Sequence, residues 1–131
     1  MDDTRRARLA HRIQIELSEL LMKGEIKDHR VDSLFSFSYV KLAKDGSTAR
    51  VGVSGFKSHA GIDRAVEGLN SAAGYLRGRI GKAIRLRTTP RLYFVPDHSI
   101  EEGQEVLRTL DEALRDENEK RRTASEQADG T

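Results

Sequence analysis

The chain has 131 residues, 37% apolar and 34% charged, with 23 Lys and Arg against 21 Asp and Glu for a formal net charge of +2. That length suits one domain of roughly 100 residues plus a tail, with a small core because aromatics make up only 5% and Trp is absent. The absence of Cys excludes disulfides and thiolate chemistry, and no apolar run approaches the roughly 18 residues a membrane-spanning helix needs.

The first twelve residues, MDDTRRARLAHR, lack the apolar segment of a secretory signal. The expectation is a cytoplasmic protein with no membrane partner. Residues 4–22 read as a helix: Leu9, Ile13, Leu17, Leu20 and Leu21 recur at helical spacing, Asp2, Asp3 and Thr4 offer caps, and Gly24 is a stop. Arg5, Arg6, Arg8 and Arg12 fall mostly off that stripe and read as a solvated face.

After a polar connection, residues 34–42 (LFSFSYVKL) alternate as a strand. Lys44-Asp45-Gly46 signals a turn, and residues 48–56 (TARVGVSGF) form the partner strand with Ala49, Val51 and Val53 on one face. Gly52 and Gly55 weaken the end of that strand. From Ser58 onward Ile62, Ala65, Val66, Leu69, Ala72, Ala73, Leu76 and Ile80 keep one helical period. Gly74 argues for a break, because glycine inside a helix costs about 1 kcal/mol relative to alanine.

Residues 83–95 read as a third strand. Ile84, Leu86, Leu92 and Phe94 share the core parity, Arg85, Arg87, Arg91 and Tyr93 the other, and Pro90 marks an edge or a bulge. A final helix spans 100–118 with a Val106, Leu107, Leu110, Leu114 stripe. Residues 97–120 hold nine acids against three basic residues. Residues 120–131 lack periodicity and read as a disordered tail. The order gives an α+β class with helices on one face of a small sheet. Its divisions are a folded domain at 1–96, an acidic helix at 97–119 and the tail at 120–131.

Positive charge is concentrated in residues 71–96, which hold Arg77, Arg79, Lys82, Arg85, Arg87 and Arg91 and no acid. A single-sign patch on a nearly neutral chain fits a polyanion, since arginine forks match phosphate oxygens and stack on bases, and Tyr93 offers a stacking surface. The competing reading is a solvated face, or one that docks an acidic protein partner or the chain's own acidic helix. Gly78-Arg79-Ile80-Gly81 spells GxxG, but so close to the third strand Gly81 reads better as a helix C-cap. His11, His29, His59 and His98 share no metal-ligand spacing, and no nucleophile elbow, Walker A loop or dinucleotide fingerprint occurs. No catalytic residue, metal or cofactor is assigned.

Four stretches in order resemble the ribosome-binding factor A family. They are Glu25-Ile26-Lys27-Asp28, Leu69 through Arg77 (LNSAAGYLR), Leu86-Arg87-Thr88-Thr89-Pro90, and Asp97 through Gly103 (DHSIEEG). The resemblance implies a type II KH-like fold of helix–strand–strand–helix–AxG kink–helix–strand, with Ala72 and Gly74 at the kink, which makes residues 1–96 a KH-like RNA-binding domain followed by the C-terminal acidic helix. It also implies a non-enzymatic factor that binds the free 30S subunit and 16S rRNA, promotes late maturation including 5′-end processing, and supports growth after cold shock. On that reading Arg77, Arg79, Lys82, Arg85, Arg87 and Arg91 neutralise rRNA phosphates. Ala72, Ala73 and Gly74 let RNA approach the backbone, and Lys41, Lys44 and Arg50 add secondary contacts from a monomeric protein. The alternatives left open are a general KH-like RNA-binding module and a protein-interaction domain. The family usually has Asp-Pro-Arg where this chain has Asp28-His29-Arg30.

Overall fold

Asp2 precedes the first helical turn with an extended backbone, and its Oδ1 accepts the Arg5 amide at 2.8 Å, satisfying a donor the helix cannot. The helix it caps, α1 (Asp3–Met22), opens a computed structural model that describes residues 2–129. Ala10, Ile13, Leu17, Leu20 and Leu21 are buried along one stripe, while Arg5, Arg8 and Arg12 stay exposed. Gly24 ends the helix at φ +69, with its amide on the Leu21 carbonyl and the Glu25 amide on the Leu20 carbonyl. Only glycine takes that left-handed turn without steric cost.

Two strands, β1 (Ser36–Leu42) and β2 (Thr48–Ser54), form an antiparallel hairpin across a Gly46 turn at φ +73. The polypeptide then makes two helices, α2 (His59–Ser71) and α3 (Ala73–Ile84), and returns as β3 (Arg91–Pro96), parallel to β2. The sheet order is β1-β2-β3. Phe37, Leu42, Ala49, Val51, Val53, Leu92 and Phe94 turn one sheet face toward Ile13, Leu17, Ile62, Leu69, Leu76 and Ile80 of the three helices. Each fully buried Leu or Ile contributes about 1.5–3 kcal/mol, so this two-layer core carries the fold.

The start of the third strand differs from the sequence expectation. The third strand begins at Arg91 rather than Ala83: Ala83 and Ile84 finish α3, and Arg85 caps it in the left-handed region at φ 57. The helical break falls at Ala72, the first residue of the Ala72-Ala73-Gly74 kink expected above.

A carboxylate and a guanidinium hold the connection from α1 to β1 shut. Asp28 accepts the Arg30 amide at 2.9 Å and the Arg30 guanidinium at 3.0 and 2.8 Å. A Cβ on Gly68 of α2 would sit 2.9 Å from that carboxylate, so the turn rests directly on the helix backbone.

The described residues divide into two units between Ile100 and Glu101. The second consists of α4 (Ser99–Asp129) from Glu101 onward, which continues through residues 120–129 of the stretch read as a disordered tail, while residues 130–131 lie outside the described residues. Arg115–Asp111 and Arg121–Glu117 pairs, both at 2.8 Å and four residues apart, support its later turns.

Candidate nucleic-acid interface

Ala72 is at once the last cap of α2 and the first of α3, at φ −91 and ψ 0. Its amide is shared between the Gly68 and Leu69 carbonyls at 3.1 Å, and its carbonyl accepts the Leu76 amide at 2.9 Å. One residue therefore redirects the chain with little loss of hydrogen bonding. Ala72 and Ala73 are partly buried against the core, whereas Gly74 is exposed, with nothing within 4 Å of where a Cβ would stand.

Leu76 and Ile80 anchor α3 in the core, which sends its other face outward. That face carries Gly74, Gly78 and Gly81, spaced four and three apart and so aligned along the helix. Gly78 also has open space where a side chain would be. Gly81 does not end the helix as its position suggested; a Cβ there would lie 2.5 Å from the Thr89 Oγ1, so it allows the 86–89 loop to close on α3. Arg77 fastens the same loop by donating Nε and Nη2 to the Thr89 carbonyl at 3.0 and 2.8 Å. The result is an open hollow of about 560 Å³ with a glycine floor, edged by Arg77, Lys82 and Arg87.

The basic residues of 71–96 do not form one patch. Arg79 donates to Glu25 Oε2 and to the Tyr75 hydroxyl, both at 2.8 Å, which ties α3 to the α1–β1 connection. Those contacts, Tyr75 first, raise its pKa above the usual arginine value. Arg85 and Arg87 lie exposed on the α3–β3 loop, not alternating on a strand face as expected. Arg91 joins Lys41 and Arg50 on the sheet face that turns away from the helices, and Lys44 sits in the hairpin turn. Lys82 and Arg87 have no hydrogen bond or ion pair among the described residues, which leaves both cations free for a ligand.

Three partnerships were not read from the sequence: Arg77 with the Thr89 carbonyl, Arg79 with Glu25, and Asn70 with Phe94. The Gly74, Gly78, Gly81 spacing was the available signal for the groove. Among the described residues no three His, Cys, Asp or Glu side chains are grouped to hold a metal. No helix there is long and apolar enough to cross a membrane.

The chain as a whole matches known proteins. The family model described as Ribosome-binding factor A matches residues 5–110. Ribosome-binding factor A of Treponema pallidum (strain Nichols) is 39% identical over 104 residues, covering 79% of this chain and 82% of that protein. The crystal structure of ribosome-binding factor A from Thermus thermophilus superposes with a TM-score of 0.58 at 32% identity, over 70% of this chain and 94% of that one. A Thermus thermophilus ribosome-binding factor A homology model fitted into a cryo-EM map of its 30S complex matches with a TM-score of 0.58 at 30% identity, over 71% and 96% of the two chains.

Proposed function

The chain belongs to the ribosome-binding factor A family, and from that premise we propose that it is a non-catalytic assembly factor acting on the free 30S subunit in the cytoplasm. It binds 16S rRNA and promotes late maturation, including processing of the 5′ end of the precursor. The observation that carries this reading is the glycine-floored groove of α3, with Lys82 and Arg87 uncommitted at its edge. A phosphate backbone approaches a helix closely only where side chains are missing, and cations at the rim then reach its oxygens. Support for the partner comes from the relative fitted into a 30S complex.

In mechanism, the protein binds one rRNA conformation better than its competitors and shifts the subunit's folding population toward it. Arg77 contributes by positioning the loop that presents Arg87, while Arg79 holds α3 in place. The Ala72 bend aims the glycine face. The test is a salt titration of affinity for purified 30S subunits. Lys82→Ala and Arg87→Ala should each weaken binding and flatten the log–log salt slope by about one unit. If neither affinity nor slope changes in either variant, the groove is not the contact.

A further inference from the structure

β1 carries an irregularity that reverses its parity. Phe37 pairs with Val53 and points into the core, but the next paired residue is Tyr39, opposite Gly52. The extra residue, Ser38, is a bulge, and its hydroxyl donates to Asp97 Oδ2 at 2.6 Å. Asp97 is itself fixed by its amide on the Val53 carbonyl at 2.7 Å. Without the bulge Tyr39 would share the inward parity of Phe37; with it, Tyr39 and Lys41 emerge on the open face.

Gly52 completes the arrangement. A Cβ there would collide with the Tyr39 Cε1, so the ring packs directly over the backbone of β2 at Gly52. Beside it, Lys41, Arg50 and Tyr93 form one row across the three strands. Arg50 donates Nε to the Tyr93 hydroxyl at 3.2 Å and its guanidinium carbon is 5.9 Å from the ring centroid. Both tyrosines remain 37% exposed. A hollow of about 190 Å³ opens between Lys41, Thr48, Arg50 and Tyr93.

Two like charges directly opposite each other on a sheet are unfavourable for folding. Lys41 and Arg50 are such a pair, with Arg91 nearby on β3, and no described acid pairs with any of the three. Unneutralised cations interleaved with flat aromatic rings suit unpaired nucleotides, which offer both a phosphate and an accessible base face. A duplex hides its base faces, and an acidic peptide has no use for the rings. The tyrosines sit on the two outer strands, opposite Gly52 and Arg50 of β2 and so roughly 12 Å apart at the backbone, which fits splayed bases rather than a continuous stack.

The geometry points to the open sheet face, centred on Tyr39, Arg50 and Tyr93, as a second RNA surface that captures a single-stranded segment by base stacking. It lies on the side of the sheet opposite α3, and it rests on the reading that RNA is the partner. The probe is an unpaired RNA of about eight nucleotides carrying a fluorescent base, against a blunt RNA duplex of the same length, with the full chain. Wild type should prefer the single strand and change the base's fluorescence. Tyr93→Leu should lower single-strand affinity about tenfold, whereas Tyr93→Phe, which keeps the ring, should retain it. Tyr39→Leu should act in the same direction, and thermal melts of each variant identify any that fails to fold. Equal affinity for duplex and single strand, or unchanged binding in a folded Tyr93→Leu, overturns the proposal. So does equal binding of a polyglutamate peptide. Wild type that still binds 30S subunits under those outcomes leaves the assembly-factor reading standing; wild type that binds neither RNA nor subunits defeats both.

Discussion

The side-chain amide of Asn70 exchanges two hydrogen bonds with the backbone of Phe94. Its Oδ1 accepts the Phe94 amide at 2.8 Å and its Nδ2 donates to the Phe94 carbonyl at 3.0 Å. Since β3 is an edge strand, Asn70 supplies the pair of bonds a fourth strand would have made. It also stands two residues before the Ala72 bend, so the position of the bend is tied to the sheet.

Replacing Asn70 with Ala leaves both backbone groups of Phe94 without a protein partner. The expected cost is about 1–3 kcal/mol in urea unfolding, with faster hydrogen exchange at the Phe94 amide. Asn70→Asp keeps the acceptor but loses the donor, and should fall between wild type and Asn70→Ala.

Gly78 separates function from stability. Its Cβ position is empty and it lies inside α3, so Gly78→Ala should stabilise the protein by about 0.5–1 kcal/mol through helix propensity. The same methyl group fills the groove floor and should weaken binding to 30S subunits. Gly81→Ala meets Thr89 instead, and should lower both stability and binding. Melting temperatures alongside affinities for the two variants check this.

Asp28 carries a pH signature. Its hydrogen bonds from the Arg30 guanidinium and amide hold its carboxyl well below the ordinary range. A depressed carboxylate contributes stability above its unfolded value, near pH 4, and loses it as pH falls toward the lowered native value. Asp28→Asn should therefore melt below wild type at neutral pH, with the gap closing as the pH is taken beneath about 4.

Gly52→Ala should push the Tyr39 ring off β2, since the new methyl would occupy the ring's place. Tyrosine fluorescence and stability should both change. The α3 groove should keep its salt-dependent subunit binding, because the two surfaces share no residue.

The sequence was informative wherever a period survives burial. The stripe of α1 and the inward set Ala49, Val51 and Val53 are periodic and were legible, as was the Gly24 stop. Features set by one unusual backbone angle were not. The sequence FSFSY alternates without fault on paper, yet the bulge at Ser38 sends Tyr39 to the opposite face. Ile84 to Arg87 alternates equally well, but the left-handed Arg85 makes it a helix end and a loop. Nothing in an arginine announces that conformation. Likewise Arg79 looked like part of a free basic patch because its partner, Glu25, lies 54 residues away.

The central claim is that this chain recognises the immature small subunit. It is tested most directly by co-sedimentation of the purified protein with separated ribosomal particles at two salt concentrations. Retention on free 30S subunits at both, with little on 50S subunits or joined ribosomes, is the expected result. Equal retention on every particle that vanishes at the higher salt would contradict it, and would reduce the chain to a general basic RNA binder.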